Sequence, residues 1–487
     1  MPLAPRRRTL VMVAVCAALT LTSASVSMLN TALPDIARGT HADNTQLLWI
    51  VNAYGLAFAA LLLPAGAAGD LFGRRRLLLS GLVLFAGANA ASAFVDSPPV
   101  LIGLRALAGA GAAAITPATL AILVDIHAPS ERSRVYVVWS AVIGGGGTVG
   151  LLVAGGLLEA WSWQSVVILN AVAGALILAA CAVVTPREQG AGDPRADPVG
   201  AALSALALAV LVFGVIEAPG WGWTDTRFLL CIAIAVELLT AFVVWELRRQ
   251  RPMLDVRLFR RREFGSGSLA VFLQWLVTLG AFLLLLQFLQ LVRGLSPLEA
   301  ALALLAPMVA LGVSSPLAER GAVAIGRSHV AAIGLVVCAV GLAGAALVTE
   351  DTPFWILVLA LLPFGAGVGI TSVPATAMIM DDAPSGGQGM ASAVNDVTRE
   401  VGGAIGIAVL GSVLNDRYAA HLPDFVPAAA RRSLAEALAL GDPATSHEAV
   451  GAFLDGFSLA FVIGAVILVA AAIAVEVWGR MTPAGSR

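Results

Sequence analysis

Gly66-Ala67-Ala68-Gly69-Asp70-Leu71-Phe72-Gly73-Arg74-Arg75-Arg76 separates two long apolar runs, 46–69 and 77–95. Each run is about long enough to cross the hydrocarbon core of a bilayer as a helix. Asp70 falls where the first helix should end, placed to pair with an arginine or to cap the N-terminus of a neighbouring helix. Gly73 permits a tight turn, and the three arginines suit the anionic headgroups of a cytoplasmic leaflet. An ordinary positively charged membrane loop would account for the arginines. It would not account for the spacing of glycine and acid.

Outward from this loop the chain remains apolar. Of its 487 residues 59% are hydrophobic and 12% charged, with a mean hydropathy of +0.89. Soluble domains run nearer half apolar and a quarter charged, and no long polar block exists here to form one. Fourteen segments can span a membrane: 10–34, 46–69, 77–95, 99–125, 134–158, 164–184, 199–217, 228–247, 267–291, 299–318, 329–348, 354–379, 389–414 and 452–478. Polar residues interrupt 299–318 and 389–414. The run after Arg6-Arg7-Arg8 is too long for a cleavable signal peptide and is expected to be the first span. Cys16, Cys181, Cys231 and Cys338 all lie in apolar runs, which points to buried packing rather than disulfides or metal ligation. The net charge of −2 argues against a nucleic-acid partner.

Charge distribution orients the spans. All 29 basic residues are arginine. With a cytoplasmic N-terminus, and an even span count that puts the C-terminus there too, most of them fall inside: Arg6–Arg8, Arg74–Arg76, Arg132, Arg134, Arg187, Arg195, Arg248, Arg249, Arg251, Arg257, Arg260–Arg262, Arg320, Arg327, Arg399, Arg480 and Arg487. Arg38, Arg227, Arg293, Arg417, Arg431 and Arg432 fall outside, and Arg105 lies within a span. This is the asymmetry that the positive-inside rule expects. The basic stretch 248–262 should lie against headgroups. The polar stretch 415–450 should lie outside and hold a short amphipathic helix around Ala428–Leu440, as a solvated cap or a substrate gate.

The Gly66–Arg76 segment resembles motif A of the major facilitator superfamily, with Gly, then Asp four residues on, then Gly-Arg-Arg. A degraded echo stands at Ser315–Arg327, where Gly326-Arg327 survives and Val323 occupies the position of Asp70. Leu104-Arg105-Ala-Leu-Ala-Gly-Ala-Gly-Ala-Ala-Ala-Ile-Thr-Pro117 resembles motif B. Further stretches narrow the resemblance to the fourteen-span drug:H⁺ antiporter branch: Asn30-Thr-Ala-Leu-Pro34-Asp35, Trp49-Ile-Val-Asn52-Ala-Tyr54, Trp221-Gly-Trp223, Trp245-Glu246, Gln290–Pro297 and Gly386–Gly403. It runs along nearly the whole chain.

That resemblance implies an all-α polytopic fold: a six-helix bundle over 1–186, two inserted transmembrane helices and a linker over 187–262, and a second six-helix bundle over 263–487. It implies a bacterial cytoplasmic-membrane transporter, monomeric, working by alternating access, with motif A as a charge lock. Its motif B arginine implies a role for Arg105 in proton coupling. A charge at that depth costs at least ~2.5–3.5 kcal/mol, and the alternative is that Arg105 snorkels to the outer interface.

Three positions depart from the branch. Ser25 stands where the family usually has an aspartate, five residues before Asn30, which weakens the case for cationic drugs. Leu151-Leu152 stand where Gly-Pro is expected in the antiporter motif, although Gly144–Gly147 and Gly155-Gly156 remain. Trp163-Gln164-Ser165 replaces Trp-Arg-Trp.

Acids within spans are the candidates to carry a proton. Asp396 and Glu400 lie one turn apart with Arg399 beside Glu400, either as a proton site or as a structural ion pair. Asp35 sits near the outer end of the first span. Glu237 and Glu246, on the inserted helices, are poorer candidates, and Asp125 and Glu131 are expected to partner the charge lock. Asn30, Asn52, Gln274, Gln287 and Gln290 are candidate cavity residues, with Gln287 and Gln290 expected to share a face. No nucleotide loop, metal cluster or nucleophile constellation appears, so no enzyme activity, cofactor or metal is expected. The reading is proton-driven efflux of amphipathic small molecules. The alternatives are a dedicated exporter of one endogenous lipid or secondary metabolite, or a non-transporting membrane sensor.

Overall fold

The computed structural model describes residues 5–186, 197–384, 386–423, 426, 427, 430, 431 and 433–480. Among these residues every regular element is helical. In chain order the α-helices are α1 (Pro5–Thr40), α2 (Asn44–Phe72), α3 (Arg74–Ser92), α4 (Pro98–Ile126), α5 (Arg132–Ala160), α6 (Gln164–Val184), α7 (Pro198–Trp221) and α8 (Thr226–Arg248). There follow α9 (Arg262–Gln287), α10 (Pro297–Ala303), α11 (Leu305–Ile325), α12 (Arg327–Ala345), α13 (Phe354–Asp381), α14 (Gln388–His421), α15 (Leu434–Ala439) and α16 (Pro443–Arg480). Arg187, Arg195, Arg432 and Arg487 of the charge pattern lie outside the described residues.

Thirteen helices among the described residues are long and apolar enough to cross a membrane. The third expected span is the difference. It is helical as α3, but its 19 residues open on Arg74-Arg75-Arg76 and include Asn89, which dilutes its hydropathy. The expected span 299–318 is also redrawn. Ser296 and Glu299 form a reciprocal capping box at 3.2 and 2.8 Å, which starts the short helix α10. The chain then breaks at Leu304, and the longer helix runs from Leu305 to Ile325. The amphipathic helix expected over 428–440 is reduced to Leu434–Ala439, started by Ser433 capping Glu436 N at 3.2 Å; residues 428, 429 and 432 lie outside the described residues.

The chain divides into two compact units, one of Met1–Glu217, Trp221–Gly265 and Thr376–Thr398, the other of Ala218–Gly220, Ser266–Ala375 and Arg399–Arg487. Within the first, α1 packs on α5 and α6, α2 on α4, and α3 on α4 and α6. Small residues let these helices approach closely: Gly146 and Gly150 of α5 lie against Ser23 and Ala24 of α1. Gly155 and Gly156 instead face open space. Within the second unit α12 packs on α16 and α11, beside a buried stack of Phe288, Phe457 and Phe461.

Candidate functional site

The Gly66–Arg76 segment closes α2 and opens α3. Gly73 has φ +98°, a conformation open to glycine and strained for other residues, and it reverses the chain directly into α3. The reversal brings Arg74 back over Asp70. Arg74 Nη2 donates to Asp70 Oδ1 at 2.9 Å and Nε donates at 3.2 Å, while Nη1 pairs with Asp125 at the end of α4. Arg74 is buried despite its charge. Two carboxylates, those of Asp70 and Asp125, compensate it, as a buried guanidinium requires.

Asp70 has a second task. Its Oδ1 accepts from Gly389 N at 2.9 Å and its Oδ2 from Met390 N at 2.8 Å. Both amides belong to the first turn of α14, where backbone donors have no intrahelical partner and the helix dipole favours an anion. Arg74 Nη2 also donates to Gln388 Oε1 at 3.0 Å. Two glycines permit the approach: a Cβ on Gly389 would lie 2.7 Å from Asp70 Oδ1 and 2.8 Å from Gly66 O. One carboxylate thus ties α2 to α3 and to the start of α14.

Further polar ties join the ends of helices in the same unit. Tyr136 of α5 donates to Asp381 of α13 at 2.7 Å, with Arg132 3.6 Å from the same carboxylate. Arg261 pairs with Asp382 at 3.4 Å, Arg8 with Glu131 at 2.8 Å, and Arg75 donates to Ala182 O at 2.7 Å. The sequence reading missed Gln388, Tyr136, Asp381 and Asp382. The signal available was the Asp381-Asp382 pair itself, two adjacent acids that end a long apolar run.

Arg105 forms a separate centre in the same unit. It is 3% exposed, so it does not snorkel. Its Nε donates to Ile50 O at 3.3 Å, and its guanidinium lies 4.4 Å from the centroid of the Tyr54 ring. Tyr54 in turn donates its hydroxyl to Thr22 O at 3.0 Å. Ser25, one turn further along α1, is fully buried.

The remaining candidates are dispersed. Asp35 pairs with Arg38 of its own helix at 2.6 Å. Asn30 is exposed and Asn52 half-buried. Asp396 is buried; Arg399, also buried, has its guanidinium 4.1 Å from the Trp275 ring centroid, and Glu400 is half-buried. Gln274 is buried and donates to Val368 O at 3.1 Å and Ser372 Oγ at 2.9 Å. Gln287 and Gln290 do not keep the expected helical register, because Phe288–Val292 winds as a π-helix, closed by Arg293 N donating to Phe288 O at 3.1 Å. A spacing of three residues no longer stacks two side chains there. On the inserted helices, Asp197 accepts from Gly200 N at 2.9 Å and Trp245 Nε1 at 3.1 Å, and pairs with Arg249 at 3.2 Å. Glu246 is buried beside them, accepting from Leu254 N at 3.2 Å.

The family model described as Major Facilitator Superfamily matches residues 15–407. The chain belongs to the major facilitator superfamily. Relatives within this superfamily include the methyl viologen resistance protein SmvA of Salmonella typhimurium, 34% identical over 450 residues, 90% of this chain and 89% of that protein. The tetracenomycin C resistance and export protein of Streptomyces glaucescens is 31% identical over 91% of this chain and 86% of its own. The multidrug efflux pump LfrA of Mycolicibacterium smegmatis is 32% identical over 92% of this chain and 91% of its own. Among solved structures, the proton:xylose symporter XylE matches with TM-score 0.64 at 14% identity, covering 97% of this chain and 96% of that one. At that identity the likeness speaks for the fold alone. This superfamily member is a multi-pass membrane protein and a transporter of small molecules.

Proposed function

We propose that this protein is a proton-coupled multidrug efflux transporter, exporting amphipathic small molecules by alternating access. The observation that carries the mechanism is the Asp70 carboxylate, which holds Arg74 and two free amides in the first turn of α14 at once. Those bonds are short, charge-assisted and polar, so they stabilise one arrangement strongly and have no intermediate form. A cycle in which α14 leaves α2 breaks them together and re-forms them together. Resistance and export in the names of relatives matched over most of their length support efflux as the direction.

In this reading Asp70, Gly73 and Arg74 form the conformational switch. Arg105, Asp35, Asp396, Arg399 and Glu400 are the groups through which protons are coupled, and Asn30, Asn52, Gln274, Gln287 and Gln290 belong to the substrate path. The bundles 1–186 and 263–487 are the two moving halves, with 187–262 inserted between them. The protein acts as a monomer in the bacterial cytoplasmic membrane with both termini inside.

The test is substrate movement from proteoliposomes under an imposed pH gradient. Transport that collapses when the gradient is dissipated supports the reading, and Asp396→Asn should then flatten its pH dependence. Gradient-independent movement, or none across a panel of amphiphiles, would overturn it. A second reading, export of one dedicated metabolite, is favoured by a single observation: the buried Ser25 supplies no carboxylate for a cation.

A further inference from the structure

Arg105 is a permanent positive charge in the interior of the first unit, and among the described residues it makes no ion pair. Its contacts are the Ile50 carbonyl and the face of Tyr54. Its Nη1 is buried and makes no hydrogen bond. A guanidinium cannot shed its proton, and a buried charge requires a counter-charge or a full set of acceptors. The Tyr54 ring supplies part of that, worth about 0.5–2 kcal/mol, and one carbonyl supplies another part. Neither occupies Nη1.

A second orphan lies on α1. Ser25 Oγ is buried and makes no hydrogen bond, in a residue that is 0% exposed. Tyr54 links the two centres, because its ring carries Arg105 and its hydroxyl binds Thr22 O, one helical turn before Ser25. Arg105 meets α2 between Ile50 and Tyr54, and Tyr54 is the residue that touches both Arg105 and the turn of α1 leading into Ser25. One N–H of a fixed cation and one hydroxyl, both desolvated and both without acceptors, suit the two oxygens of a carboxylate.

We infer that Arg105 and Ser25 form an anion site, and that the counter-charge Arg105 lacks arrives with the substrate as the carboxylate of an amphipathic acid. This rests on the transport reading above and names the substrate class. It also assigns a reason for the serine. An acid at position 25 would neutralise Arg105 permanently, whereas a serine leaves the guanidinium available to a ligand. A charged group that binds only when its partner is carried in discriminates by charge as much as by shape.

The test uses the purified full chain in nanodiscs and three fluorescent probes of similar size: dansyl-leucine, its methyl ester and the amine dansylcadaverine. We expect the acid to bind at least about tenfold more tightly than the ester or amine, the scale of one buried charge pair. Arg105→Gln should abolish the preference, so that the acid binds no more tightly than the ester in that variant, and Arg105→Lys should retain part of it. Ser25→Asp should invert the preference toward the amine, and it decides the matter if Arg105→Gln does not fold. Equal binding of acid and ester, an acid preference that survives Arg105→Gln, or no binding of the acid up to about 1 mM would overturn the inference. Gradient-driven transport on the same preparations separates the two claims. Transport of amine or ester without acid preference refutes the anion site alone, and Arg105-dependent acid binding without gradient-driven transport refutes the efflux reading alone.

Discussion

Replacing Asp70 with asparagine should unlatch α14 from α2 while leaving the fold intact. The carboxylate accepts four hydrogen bonds, from Gly389 N, Met390 N and two nitrogens of Arg74. An asparagine carbonyl can keep one of the two amides; its NH₂ faces the other amide or Arg74, and both are donors. Hydrogen bonds to a charged group are worth about 1.5–3 kcal/mol each, and an anion at a helix N-terminus about 0.3–1 kcal/mol. Losing one such bond, weakening a second and losing the dipole term gives about 3 kcal/mol, or about 150-fold in the ratio of latched to unlatched states. Hydrogen exchange reads this directly. The amides of Gly389 and Met390 precede the first intrahelical bonds of α14, so their protection comes from Asp70. Asp70→Asn should accelerate their exchange by about two orders of magnitude and lower gradient-driven transport. Asp125→Asn removes a partner of Arg74 but keeps the acceptor of both amides, so it should change their exchange far less. Exchange in Asp70→Asn that matches wild type within about threefold would refute the latch.

Other substitutions test the same geometry. Gly389→Ala puts a methyl 2.7 Å from Asp70 Oδ1 and 2.8 Å from Gly66 O, groups that cannot yield, and should cost about 1–3 kcal/mol; undiminished transport and an unchanged melting temperature would show that the approach has slack. Gly73→Ala and Gly326→Ala each force a side chain into a glycine-only conformation, at φ +98° and +95°, costing about 1–3 kcal/mol apiece. Both should lower the melting temperature, and only Gly73→Ala should also raise exchange at Gly389 and Met390. At the start of α16, the hydroxyl and amide of Thr445 bind Asp442 at 2.5 and 2.9 Å and hold its carboxyl below the usual aspartate range. Its folded-state pKa is therefore depressed. The stability it adds is fully present above the unfolded value of about 3.9 and is lost as pH falls through the folded value. Acidification below about pH 4 should thus fray residues 443–447 in wild type, measured by exchange, and have little further effect in Asp442→Asn.

The spans were legible because the thickness of a bilayer sets the length of an apolar run, whatever the tertiary contacts. Where that rule failed, local chemistry had intervened. Three arginines and Asn89 dilute α3, and the Ser296–Glu299 capping box starts α10 ahead of the break at Leu304. The capping box was readable as Ser-x-x-Glu. The π-turn at Phe288–Val292 was not, since nothing in the composition of that run sets it apart from an α-helix. The latch was half legible. Asp70, Gly73 and Arg74 lie within one turn of each other and carry their geometry in their spacing. Gly389 lies 319 residues away, and its role depends on the absence of a side chain at a contact that only the fold creates. Arg105 was recognisable from its depth in an apolar run, but that no carboxylate pairs with it among the described residues is a property of its surroundings in the folded chain.

The chain contains its own control for what Asp70 is for. Gly326 joins α11 to α12 at φ +95°, as Gly73 joins α2 to α3 at φ +98°, and an arginine follows each glycine. The two turns solve the same folding problem, reversing the chain between long helices without a loop. At the position of Asp70, however, the second copy has Val323, which is 86% exposed. An acid is therefore not needed to make the turn, and a glycine is. In the second unit the ends of α12 and α16 are held differently, by His329 at 2.9 Å from Glu476 and Arg480 donating to Glu476 at 2.5 Å. These contacts lie on exposed or half-buried side chains, where water competes and a pair is worth little. The half-buried carboxylate that accepts four hydrogen bonds occurs at the first copy of the turn and not the second. A device needed for folding would be expected in both copies, whereas a switch between two states requires a strong contact at one place that can be broken as a unit. That asymmetry favours reading Asp70 as part of the transport cycle rather than part of the scaffold.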